Sequence, residues 1–103
     1  MGKKASLNKL SVYIGLYAAH RVLIRLANEN ESVPHLEREV DNYERLAIKS
    51  SKGNWNEDDL ELIKEIAVKR CCEKLEHYQK LDDANYRLVE ETIAEIMKEL
   101  ELI

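Results

Sequence analysis

Phenylalanine is absent from this 103-residue chain, proline occurs once and glycine three times. So few turn formers exclude a fold of many short strands, whose tight turns draw on Gly, Pro and Asn. Cysteine is scarce too, with only Cys71 and Cys72, side by side. Helical neighbours point about 100° apart and do not readily bridge, so no disulfide framework is expected. Free thiols suit a reducing compartment, and the cytoplasm is the expected location. There is no Cys-x-x-Cys, and His20, His35 and His77 fall in three separate segments without the four-residue spacing of a helical zinc site. Gly-rich phosphate loops, a nucleophile elbow and a dinucleotide fingerprint are likewise missing. No metal and no cofactor are expected.

Acid is missing from the first 28 residues, which carry Lys3, Lys4, Lys9, Arg21 and Arg25. All 20 acids follow, and the net charge is −4. The asymmetry points first to charge complementarity within the chain or between subunits. A basic face for nucleic acid ranks behind it, because the chain as a whole is acidic.

What is present favours helices. Hydrophobic residues make up 45% and charged residues 35%, a balance that folds. Leu, Ile, Glu, Lys and Ala, the stronger helix formers, dominate. The length corresponds to a single helical domain over residues 1–103. Leu10–Ala19 is apolar and follows lysines, as in a signal peptide. Tyr17, however, stands where a cleavage site needs a small residue, and the apolar pattern runs on through Val22, Leu23 and Ile24. The run is also too short to span a bilayer, so no membrane segment is expected. Met1-Gly2 with Ser6 formally fits a myristoylation template, in which Lys3 is disfavoured.

Four helices are expected, as a small antiparallel bundle. The first should run from Leu7 to Asn28, capped by Ser6, with apolar residues nearly all round it. Gly15 inside it marks a close helix–helix approach. A chain this short is not expected to enclose such a helix, so the bundle should be completed by dimerisation. The second helix starts near Ser32, with Pro34 in its first turn and a stripe of Leu36, Val40, Tyr43 and Ala47. Glu37, Arg38, Glu39, Asp41 and Glu44 should lie outside that stripe. Residues 49–54 form the clearest loop. Asn56 caps the third helix, whose stripe is Leu60, Ile63, Ala67, Cys71, Leu75 and Tyr78 and whose end should fall near Leu81. Asp82 or Asp83 caps the fourth, where Tyr86, Val89, Ile93, Ile96, Leu100 and Ile103 form a heptad seam. Cys71 should be core and Cys72 off the stripe. Tyr13, Tyr17, Tyr43, Tyr78 and Tyr86 should supply the aromatic core, with Trp55 stapling the start of the third helix.

Arg70 and His77 are the candidate catalytic pair. Seven residues apart on one helix, they project in nearly the same direction. A guanidinium beside an imidazole can stabilise phosphodiester cleavage and move its protons. The segment Arg70-Cys-Cys-Glu-Lys-Leu-Glu-His77-Tyr78 resembles the Arg, four-to-six residues, His motif of HEPN-type ribonucleases. That resemblance implies a small helical bundle whose paired motifs meet across a dimer interface. The motif often has a polar residue after the Arg, where Cys71 stands here. The structural alternative is a boundary Arg and His pairing with Glu73 or Glu76. Acid pairs at four-residue spacing, Glu37 with Asp41 and Glu57 with Glu61, fit either a divalent ion or a solvated helix face. Glu73-x-x-Glu76 resembles one run of the helical nucleotide pyrophosphohydrolases, but their second run does not follow it. The leading expectation is a helical interaction or regulatory protein, homodimeric through its first and fourth helices, with a protein partner. A HEPN-like or other nucleic-acid-processing enzyme using Arg70 and His77 is the runner-up.

Overall fold

The structure, a computed structural model, describes residues 3–26 and 33–103. Among the described residues there are four helices: α1 (Lys3–Leu26), α2 (Val33–Ser50), α3 (Glu57–His77) and α4 (Asp83–Glu99). The expected all-α bundle is what forms. The expected end of the first helix at Asn28 and start of the second at Ser32 lie outside the described residues.

Helix α1 is the centre of the molecule. Its buried residues, among them Leu10, Ser11, Ile14, Ala18, Ala19, His20 and Leu23, face every direction around its axis. They are covered from within the chain, because α2, α3 and α4 all pack on α1. The inference that α1 needs a second copy to cover it therefore loses its ground. Three helices can wrap a fourth when one of them stands apart from the others. Among the described residues α2 packs on α1 alone, while α3 and α4 also pack on each other. Helix α2 runs antiparallel to α1: Tyr17 meets Glu44, and three residues further along α1, His20 meets Glu39. Helix α3 runs parallel to α1, since Lys3 pairs with Asp59 near both starts and Gly15 lies against Ala67 and Arg70 further on.

Gly15 makes that close approach possible. A Cβ built there would stand 2.8 Å from the Ala67 carbonyl oxygen and 2.8 Å from the Arg70 Cβ. A buried Ser11 nearby is satisfied locally, its hydroxyl donating to Leu7 O at 2.7 Å.

The helix ends depart from expectation in instructive ways. Ser6 is not a cap: α1 begins a turn earlier, where Lys3 is fastened to Asp59 at 2.5 Å and lies over the Trp55 ring. Asn56 caps α3 as expected, in a reciprocal box with Asp59. The Lys3 ammonium, and then the Asn56 backbone N–H, hold the Asp59 carboxyl below the usual carboxylate range. Helix α3 stops at His77 instead of Leu81, because Gln79 turns left-handed at φ 58°. Gln79 and Lys80 then donate back to Glu76 and Leu75, closing a Schellman motif without glycine. Glu101, at φ 59°, ends α4 in the same way. Asp82 caps α4, accepting from the Asn85 N–H at 2.8 Å.

The charge asymmetry is resolved partly inside the chain. Besides Lys3–Asp59, Arg21 of α1 pairs with Glu95 and Glu99 of α4. None of the helices among the described residues is long and apolar enough to cross a membrane.

Candidate functional site

The outward side of α3 carries the candidate residues. At 100° per residue, Leu62, Ile66, Arg70, Glu73 and His77 fall on one flank. The Cβ of Arg70 is committed to the α1 contact at Gly15, and its guanidinium lies 3.9 Å from Glu73. The side chain is 47% exposed. The exposed His77 ring stacks edge-on against Tyr78, with centroids 5.6 Å apart. Arg70 and His77 thus share a flank without touching each other; Arg70 pairs within α3 and His77 with the residue that follows it.

Beside them, the start of α1 and α3 enclose a shallow depression of about 490 Å³ lined by Lys4, Ala5, Leu7, Asn8, Leu62 and Ile66. Its lining is almost wholly apolar, and Leu62 is 44% exposed.

The other side of α3 forms a longer groove with α4, of about 610 Å³. Val68, Cys72 and Tyr86 provide its apolar surface, and five glutamates line it against two lysines. Tyr86, expected in the core as the first position of the heptad seam, is instead 45% exposed. Tyr78, also expected in the core, is exposed as well, because α3 ends immediately before it. The middle of the seam behaves as expected: Val89, Ile93 and Ile96 are buried. Ile103, its last position, is exposed beyond the end of α4.

Cys71 is core, and burial pushes its thiol up to about 12. Cys72 is half-buried; burial raises its thiol too, followed by the fields of Glu90 and Glu76. Both cysteines are free, and neither is activated as a nucleophile.

One polar cluster escaped sequence reasoning. His20 is wholly buried between α1 and α2. Its Nδ1 lies 2.7 Å from Leu16 O, its Nε2 meets the Glu39 carboxylate, and its ring faces Tyr43 at 5.2 Å. The other oxygen of Glu39 meets His35 at 3.1 Å. Glu39 and Glu44 lie off the apolar stripe of α2, yet both reach back to α1, Glu44 accepting from the Tyr17 hydroxyl at 3.3 Å. Burial of Tyr17 raises its phenol, with Arg21 opposing and Glu44 reinforcing the shift. The signals were a lone His in an apolar helix, which needs a polar partner, and His35 with Glu39 at i, i+4. The two imidazoles take opposite oxygens of one carboxylate instead of converging on a point. Among the described residues no group of three or more His, Cys, Asp or Glu is placed to hold a metal ion. With no exposed face, His20 is also out of reach of a substrate, and the cluster reads as a tie between helices.

Glu37 and Asp41 on α2, and Glu57 and Glu61 on α3, are exposed, as on solvated faces. No family model, curated protein or solved structure matches this chain. The surfaces of α3 therefore have to be read from their own chemistry.

Proposed function

We propose that this chain is a small helical interaction protein that acts as a homodimer, joined along the flank of α3 that carries Leu62 and Ile66. The reading rests on one observation: Leu62 stands 44% exposed over an apolar depression. The surfaces first assigned to the dimer, α1 and the inward seam of α4, are spent inside the chain. A two-fold axis along this flank would bury Leu62 and Ile66 against their own copies. The two free cysteines fit a reducing compartment, and we place the protein in the cytoplasm.

Sedimentation velocity distinguishes the outcomes. The wild type is expected to sediment as a dimer at high concentration, and Leu62→Glu, with an unchanged helical circular dichroism spectrum, as a monomer. A wild type that stays monomeric throughout removes the proposal.

A second reading, a HEPN-like ribonuclease, draws support from the shared flank. Arg70 and His77 are exposed one and three turns beyond Ile66, so a dimer formed there would bring two such pairs near one axis. Incubating RNA with wild type and with His77→Ala tests it. Cleavage lost in the variant favours the enzyme; equal cleavage, or none by either, rules it out.

A further inference from the structure

The groove between α3 and α4 has a geometry that the dimer reading leaves unused. Its α3 wall is one helix face, beginning at Glu61 and ending at Glu76. At 1.5 Å per residue that wall is about 22 Å long, the length of a helix of about 15 residues. Helix α4 supplies the opposite wall through Tyr86 and Glu90. The floor is apolar and partly bare: Val68 and Cys72 are half-buried, and Tyr86 offers the exposed side of its ring. Within the groove, with Glu73 set aside as the partner of Arg70, four glutamates still outnumber Lys64 and Lys69. The Cys72 thiol is held up by its burial and by Glu90 and Glu76, so the floor presents an uncharged sulfur. Phosphate backbones and anionic lipid surfaces are repelled by such a rim. An apolar floor between acidic edges is complementary to a helix with an apolar face and basic flanks.

We propose that this groove is a docking site for a basic amphipathic helix of another protein, its apolar face on Val68, Cys72 and Tyr86 and its lysines or arginines against Glu61, Glu65, Glu76 and Glu90. The proposal shares the view of the chain as an interaction protein but does not depend on dimerisation, since Leu62 and Ile66 lie on the opposite flank of α3. The occupant is another protein, not a second copy. The basic residues of this chain's own α1 sit on a helix already enclosed by three others, and Lys3 and Arg21 are paired inside the chain.

The test uses the full chain and two fluorescein-labelled synthetic peptides of about four helical turns. One places leucines at i, i+3, i+4 and i+7 with lysine elsewhere; its twin has glutamate for every lysine. Fluorescence anisotropy is expected to show binding of the lysine peptide and none of the glutamate peptide. Affinity should fall at least about tenfold between low and high salt, as for contacts made by charge. Tyr86→Glu, and separately Glu65→Lys with Glu90→Lys, should each weaken binding about tenfold or more. The same charge reversal on α2, Glu37→Lys with Asp41→Lys, should change it by less than about twofold. Leu62→Glu should leave it intact whether or not it dissociates a dimer, so failure of the dimer reading and failure of this one are told apart. Circular dichroism checks that each variant is folded. Three results overturn the proposal: no binding of the lysine peptide, equal loss from the α2 reversal, which means general attraction only, or a wild-type dimer that Tyr86→Glu but not Leu62→Glu dissociates, which means a second copy occupies the groove.

Discussion

Gly15→Ala is expected to destabilise the protein by about 1–2 kcal/mol, although alanine is the better helix former by about 1 kcal/mol. The added methyl would meet the Ala67 carbonyl oxygen and the Arg70 Cβ, both at 2.8 Å. Neither is the end of a flexible side chain; one is backbone and the other sits one bond from it. Relief requires α1 and α3 to move apart, which loosens the packing of Leu10, Ile14 and Ile63 along the seam. Overpacking costs up to about 3 kcal/mol, from which the propensity gain is subtracted. Gly15→Val adds branching to the same collision and should cost about 3 kcal/mol or more, lowering the melting temperature by at least about 10 °C in a domain of this size. Thermal and urea unfolding followed by circular dichroism measure both. A double-mutant cycle with Arg70→Gly locates the cause. Removing the Arg70 Cβ should make the Gly15→Ala change measurably less costly, since the two positions touch. A Gly15→Ala protein as stable as the wild type would mean that the contact between α1 and α3 is not tight.

The parts of the fold that were legible in the sequence are those written in local chemistry. Asn56 ahead of three acids announces a helix start because the cap and the dipole are satisfied within one turn. The stripes of α3 and the middle of α4 were legible because their periodicity points one way. Gly15 was legible as a close approach because a glycine inside a long apolar helix has little other use. The end of α3 was not, since Gln79 takes a left-handed turn that usually advertises itself with glycine. Tyr86 belongs to the heptad seam, but a seam gives direction and not the reach of the neighbour that would cover it. The all-round apolar α1 showed correctly that it must be enclosed, and wrongly by what. No local pattern reveals that α2 would leave α3 and α4 to pack together on the far side. Glu39 was hidden for a related reason. A glutamate off the apolar stripe has the length to fold back to the next helix, and only the burial of His20 gives it cause. The flank joining Arg70 to His77 was plain from spacing; that Arg70 packs its stem on Gly15 and turns its head to Glu73 required the neighbouring helix.

Replacing His20 should detach one helix before the others. Among the described helices α2 packs on α1 alone, and two of its glutamates reach into that contact, Glu39 to His20 and Glu44 to Tyr17. The Leu16 carbonyl and the Glu39 carboxylate face the two ring nitrogens of His20. His20→Ala removes the ring from a wholly buried position, takes it away from Tyr43 and breaks the contact with Glu39. A cavity and a lost charge-assisted hydrogen bond together are expected to cost about 2–4 kcal/mol. Glu39→Ala should cost about 1–3 kcal/mol, because it leaves the buried Nε2 without its acceptor. The double variant should cost less than the sum, since each single change already breaks the same bond. The distribution of the loss matters more than its size. Where one element has only a single packing partner, weakening that contact lowers its local opening free energy before the global one. Hydrogen exchange in His20→Ala should therefore accelerate first over residues 35–50, while the amides of α3 and α4 keep most of their protection. Uniform acceleration across all four helices would mean that α2 is bound into the cooperative core and that the His20–Glu39 contact is one core contact among many. Selective loss would identify α2 as the movable part of the molecule. The surfaces of α3 on which the proposed interactions depend would be left undisturbed by its release.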